Sequence, residues 1–184
     1  MVSICYPVTM TATREFPKFR FEDITRDDFP ALVTLNDSCV PYVNSIGLID
    51  LENFSDQARC FFKVCDQDAN LAGFVIALRP GESYQSVNYR WFVDKYDSFL
   101  YIDRIMVHLS FRRKGIATLI YERLESIARD SLVPRLCCEV NLVPPNPESL
   151  RLHREIGFES VGTQATERGS KEVVLLVKPL NLTE

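Results

Sequence analysis

Arg112-Arg113-Lys114-Gly115-Ile116-Ala117 places three cations and a glycine where an apolar run gives way to an amphipathic one. The first turn of a helix has backbone N–H groups without partners and carries the positive end of the helix dipole. Cations beside it make a socket for an anion, with pyrophosphate a suitable occupant. The spacing is neither Gly-x-x-x-x-Gly-Lys-Ser/Thr nor Gly-x-Gly-x-x-Gly, so the socket belongs to neither of the common nucleotide loops.

Two carboxylates stand out because their surroundings are apolar. Glu139 lies in Leu136 to Asn141, where alternation puts Leu136, Cys138 and Val140 on one side and Cys137, Glu139 and Asn141 on the other. Asp103 lies in Phe99 to Leu109, which leads into the basic turn, and a charge there is costly unless paired. Its neighbour Arg104 points to the opposite face unless a bulge intervenes. His153 shares a helix face with Ser149, Leu152 and Ile156 that should look toward the sheet. His108 follows its strand as an exposed loop residue.

The elements that must position these groups alternate as expected for a mixed sheet flanked by helices. Phe19 to Ile24 reads as a strand, and Thr25 with Asp28 as the start of a helix running to about Ser38. A second helix is expected over Leu51 to Arg59. The runs Phe61 to Cys65 and Leu71 to Leu78 form an antiparallel pair joined by Asp66 to Asn70. Arg79 to Ser98, rich in aromatic residues and opened by Pro80-Gly81, reads as a long loop whose Tyr84, Tyr89, Trp91, Phe92 and Tyr96 could build a pocket or pack over a sheet edge. From Ile116 an apolar stripe of Leu119, Ile120, Leu124, Ile127 and Ala128 defines an amphipathic helix. Asn146 is placed to cap a helix with Pro147 at its first position. Gly157 stops that helix in a Schellman ending, with Phe158 folding back onto Leu152. Ser160 to Gln164 and Glu172 to Leu176 are the last strands, separated by a polar turn around Gly169.

A chain of 184 residues, 46% hydrophobic, suits one sizeable core. Its net charge of -4 argues against non-specific binding to nucleic acid or anionic membrane, and leaves cationic small molecules or peptides as partners. The six cysteines have no metal-ligand spacing and read as reduced core thiols, so no metal is expected. Met1 to Glu15 lacks the pattern of a signal peptide and reads as a loose tail. No stretch approaches the roughly 20 apolar residues of a membrane span, and cytoplasmic residence is expected.

The socket gains a specific meaning from Asn146, Ser149, Leu152, His153, Gly157 and Phe158. Together the two stretches resemble the motifs of the GNAT acetyltransferase superfamily: Arg-x-x-Gly-x-Gly/Ala after the fourth strand and Asn-x-x-Ser/Ala-x-x-Leu/Phe-Tyr-x-x-x-Gly-Phe in the last helix. The resemblance covers roughly Leu71 to Leu176, and the chain departs from it at His153, where the family usually has tyrosine. It implies an α/β (α+β) fold with a mixed sheet of about six to seven strands and about four helices, and a single acetyltransferase domain over 16–184. It implies acetyl-CoA held by Arg112, Arg113, Lys114, Gly115, Ile116, Ala117 and Thr118. Met106 and Val107 would pair with the pantetheine arm, and Asn146 and Ser149 would line it. The Val107 N–H would polarise the thioester carbonyl.

The implied activity is N-acetyl transfer to a primary amine by direct attack in a ternary complex. Attack needs a base for the ammonium, a donor for the oxyanion and a proton or hydrogen bond for the thiolate. Glu139 is the first candidate for base and Asp103 its competitor, either of which could be structural instead. His153 is a candidate acid, base or sulfur partner, although an imidazole near pKa 6.5 is mostly unprotonated at neutral pH. The acceptor is a small-molecule or peptide amine, with Tyr42 and Asn44 in the region that sets specificity, and a homodimer is compatible with such a domain. A CoA-binding module without catalysis is the alternative from another class.

Overall fold

The computed structural model describes residues 18–166 and 169–182; the expected tail, Met1 to Glu15, lies outside them. Seven strands form one sheet in the order β1-β2-β3-β4-β5-β7-β6. They are β1 (Phe19–Asp23), β2 (Cys60–Asp66), β3 (Leu71–Leu78), β4 (Leu100–Val107), β5 (Arg135–Val143), β6 (Glu159–Thr166) and β7 (Lys171–Pro179). Every pairing is antiparallel except β4 with β5, which is parallel. The described residues hold five α-helices where about four were expected: α1 (Phe29–Asp37), α2 (Leu48–Gln57), α3 (Val87–Val93), α4 (Ile116–Asp130) and α5 (Pro147–Glu155).

The additional helix is α3, inside the expected loop over 79–98. Seven residues are too few for a helical period to register, but Ser86 caps the first turn by accepting from the Tyr89 N–H. Tyr89 and Phe92 then bury against Phe99 and Tyr101, with ring centroids 5.3–6.3 Å apart. Helix α2 starts one turn before the expected Leu51, because the Asp50 carboxylate accepts from the Gly47 N–H at 2.7 Å and stabilises that earlier start. The Asp28 carboxylate similarly accepts from the Thr25 N–H at 2.8 Å, and a short 3₁₀ turn (Arg26–Asp28) leads into α1.

Both faces of the sheet are covered. Helix α4 buries Ile116, Ile120, Leu124 and Ala128 on one face, with Val64, Val75, Leu136 and Phe158. Helices α1, α2 and α3 cover the other through Leu32, Leu51 and Phe92, packed with Phe74, Ile76, Tyr101 and Leu175. The alternation expected for β5 holds, with Leu136, Cys138 and Val140 in the first cluster and Cys137 in the second. The five cysteines among the described residues are free thiols, and four of them are buried. None of the described helices is long and apolar enough to cross a membrane.

The backbone of helix α5 ends in the Schellman turn that its sequence implies. Gly157 takes φ +91°, the Phe158 N–H reaches the His153 carbonyl at 2.9 Å, and the Gly157 N–H reaches Arg154 at 3.2 Å. The Phe158 ring packs on His153 and Tyr121, centroids 5.1 and 5.4 Å away.

Candidate active site

Strands β4 and β5 pair only at Leu100–Leu136 and Tyr101–Cys137, and beyond that point they diverge. The gap opens a cleft of about 1190 Å³, ample for a cofactor-sized ligand, with walls from both faces of the sheet. The His108 N–H bonds to Ala72 in β3 at 2.9 Å, so alternation turns the N–H and carbonyl of Val107 toward the gap. The Nε of Arg112 donates to that carbonyl at 3.4 Å, which agrees with this orientation.

The basic turn closes one end of the cleft. Arg113 at φ +62° and Gly115 at φ +82° reverse the chain so that the first turn of α4, Ile116 to Thr118, lines the opening. A Cβ at Gly115 would meet no atom within 4 Å, so the glycine answers a backbone requirement and not crowding. Arg112, Arg113, Gly115, Ile116, Ala117 and Thr118 line the cleft, as do Met106, Val107, Asn146 and Ser149. Lys114 does not: its ammonium sits 4.9 Å from the Phe111 ring centroid. The Asn146 side chain also caps α5, accepting from the Ser149 N–H at 3.2 Å. Exposed cations, unpaired helix-start donors and a free strand edge in one groove fit a diphosphate carrying an amide-containing arm, which is the make-up of CoA.

Glu139 lies on the α3 side of the gap. It accepts from Asn88 Nδ2 at 2.9 Å and from the Tyr101 hydroxyl at 2.9 Å, and Gln164 fixes Asn88 by donating to its Oδ1 at 2.8 Å. All these donors are neutral. Burial, and then the negative charge of Asp103, push the Glu139 carboxyl up to about 7 against the pull of Asn88 and Tyr101.

Asp103 is the extra residue of a β-bulge. Ile76 opposes Arg104 while Ala77 opposes Ile102, so Asp103 and Arg104 can meet on one side. They form an ion pair at 2.7 Å with side chains only 5% and 7% exposed. The Tyr84 hydroxyl also donates to Asp103. Arg104 then donates to Asn36 Oδ1 at 2.7 Å and to the Asn44 carbonyl at 3.3 Å, tying α1 and the α1–α2 loop to β4. Of the two acids, the structure pairs Asp103 with a cation and leaves Glu139 without one.

His153 is on the opposite, α4–α5 side of the gap, 7% exposed. Its Nδ1 is 2.7 Å from the Ser149 carbonyl, an acceptor only, so Nδ1 carries the proton. Nε2 is left to accept from the Tyr121 hydroxyl at 2.6 Å. Burial lowers the His153 pKa, keeping the ring neutral at physiological pH. Of the aromatic residues in the expected loop, Tyr84 lines the cleft, whereas Tyr89 and Phe92 are core. Tyr42 and Asn44 also line the cleft. His108 is exposed and accepts from the Ser110 N–H at 3.3 Å.

Sequence reasoning did not single out Asn88, Tyr101 and Tyr121. Tyr121 carried a usable signal, since a hydroxyl beside the apolar stripe of α4 must find a partner when buried.

The sequence model described as acetyltransferase (GNAT) family matches residues 20–158. No curated protein matches the chain in sequence. Among solved structures, the chain is similar to the ribosomal-protein-S18-alanine N-acetyltransferase from Escherichia coli, with a TM-score of 0.65 and 15% identity over 90% of this chain and 96% of that one. Naa20 of Chaetomium thermophilum, in complex with a bisubstrate analogue, gives a TM-score of 0.69 at 20% identity over 89% and 87% of the two chains. The NatC complex bound to Gag peptide and CoA gives 0.70 at 15% identity, over 89% of this chain and 99% of that one. At these identities the likeness is one of fold.

Proposed function

The chain belongs to the acetyltransferase (GNAT) family, and from that premise we propose that it transfers an acetyl group from acetyl-CoA to a primary amine by direct attack in a ternary complex. The observation that carries this reading is Glu139: a carboxylate beside the strand gap, held by neutral donors, without a cation, and half-protonated near pH 7. A substrate ammonium supplies the missing positive charge, and the carboxylate then takes its proton. The uncharged amine's lone pair can attack a carbonyl lying in the gap.

The other parts have matching tasks. The backbone donors of the turn, with Arg112 and Arg113, would hold the diphosphate, and Met106 and Val107 would run beside the pantetheine arm. Asn146 and Ser149 line the same stretch. The Val107 N–H is aimed where a carbonyl oxygen gains negative charge during attack. Acetyl-CoA, when bound, supplies the activated acyl group. In this reading the amine enters from the Glu139 side of the cleft and the cofactor from the α4–α5 side. Of the solved structures of similar fold, one is named for acetylation of a ribosomal-protein alanine and another is bound to a Gag peptide, which supports a peptide amine as acceptor beside the small-molecule amines.

The test is an acceptor screen followed by free-thiol release, with Glu139→Gln beside the unaltered enzyme. For an active amine, kcat/KM should rise with pH through an acid limb near 7, because the base must be deprotonated. Glu139→Gln should lose about 10²-fold or more and the limb with it. Saturable CoA binding with no thiol release for any amine would favour a non-catalytic binding module, and an unchanged limb in Glu139→Gln would remove Glu139 as base.

A further inference from the structure

Resting on that reading, we propose that the hydroxyl of Tyr121 is the hydrogen-bond donor to the CoA sulfur as it becomes a thiolate, with His153 the residue that positions it.

The argument starts from the polarity of one buried chain of hydrogen bonds. The Ser149 carbonyl can only accept, so His153 donates from Nδ1 at 2.7 Å, and Nε2 must then receive the Tyr121 proton at 2.6 Å. Both imidazole nitrogens are spent, and burial keeps the ring neutral. His153 therefore has no free proton for a sulfur. The Tyr121 hydroxyl differs, because it can turn about its C–O bond. Swinging from neutral Nε2 to an anionic sulfur exchanges an ordinary hydrogen bond for a charge-assisted one of roughly twice the strength.

Position agrees with this role. Tyr121 lines the cleft on the α4–α5 side, next to Cys138, the residue that precedes Glu139 in β5. Base and hydroxyl thus approach the gap from opposite faces, as attack on one side of a carbonyl and departure of sulfur require. Burial holds the Tyr121 phenol well above its ordinary pKa, and the thiol of Cys138 likewise, so neither carries a charge that would repel a thiolate. Tyr121 then gives a hydrogen bond without surrendering its proton, and the thiolate is protonated from solvent after release. The ring itself is fixed edge-on against His153 and Phe158, centroids 5.4 Å from each.

The experiment needs binding but no turnover. The thiol pKa of CoA on the protein is read from ultraviolet thiolate absorbance, as the difference between complexes with CoA and with desulfo-CoA. In the unaltered protein it should lie about one unit below that of free CoA, the scale of one hydrogen bond to a charge. Tyr121→Phe keeps the ring and its packing and should return at least half of that shift. His153→Phe, which removes the acceptor that competes with the sulfur for this hydroxyl, should deepen the depression, while His153→Gln, whose amide oxygen can stand near Nε2, should return it to the unaltered value. Equal thiol pKa values in the unaltered protein and Tyr121→Phe would overturn the assignment. Should Tyr121→Phe fail to fold, equal values in His153→Phe and His153→Gln would overturn the positioning role. A depressed thiol pKa in a protein that acetylates no amine would support Tyr121 while overturning the proposed function. Failure to bind CoA would overturn both.

Discussion

At the scale of single residues, the two acids of the cleft differ by what surrounds them and not by chemical type. Asp103 has a guanidinium at 2.7 Å, and Glu139 has only neutral donors. A carboxylate without a cation in a buried place shifts toward the neutral form, and the nearby charge of Asp103 adds to the shift. The sign of a test follows. Asp103→Asn removes that negative charge and leaves Arg104 uncompensated, and both changes favour ionised Glu139. The acid limb of kcat/KM should then move below about 7, read from a full pH profile. A limb that stays in place or moves up would sever the link between the two groups.

At the scale of elements, the decisive unit is the turn between β4 and α4. The anion-binding capacity proposed for it would come from backbone donors beside two left-handed residues, Arg113 and Gly115, with the arginine side chains adding charge. Reversing the charges as Arg112→Glu with Arg113→Glu should weaken acetyl-CoA binding by at least about tenfold in isothermal titration, since charged hydrogen bonds contribute roughly 1.5–3 kcal/mol each. Lys114→Glu alone should change it far less, because that ammonium lies over Phe111 and outside the cleft lining. Equal affinity in the double variant and the unaltered protein would remove the turn as the diphosphate site. Strand β4 contributes through its bulge, which sets Asp103 against Arg104 and leaves Val107 facing the gap.

At the scale of the whole molecule, the sheet consists of β1–β4 and β5–β7 joined by a parallel seam two residue pairs long. A ligand lying in the gap would touch both parts and bind the folded state alone. At a concentration about a hundredfold above its Kd, CoA should add ~2.7 kcal/mol of stability, or roughly 5–10 °C in Tm for a chain of this size. Hydrogen exchange should slow at Val107, whose N–H faces the gap, more than at His108, whose N–H is already bonded to Ala72. Protection spread evenly along β4 would argue against an extended ligand at that edge.

Much of this architecture is legible in the chain itself. Alternation assigns the faces of β5, Asn146-Pro147 and Gly157 bound α5, and the Arg112 to Ala117 stretch marks the turn, because each signal acts over one to four residues of backbone. Helix α3 escapes such reading, since its seven residues are held by aromatic rings from β4 that are distant in sequence from any local period. The roles of the titratable groups escape it for the same reason. Arg104 against Asp103 depends on a bulge, Asn88 against Glu139 spans 51 positions, and Tyr121 against His153 spans 32. The sequence by itself determined the family, the fold and the basic turn at one end of the cleft. Which acid stays without a cation, and which hydroxyl pairs with His153, were decided only when the tertiary structure set burial and partners, because a pKa and a hydrogen bond depend on neighbours in space.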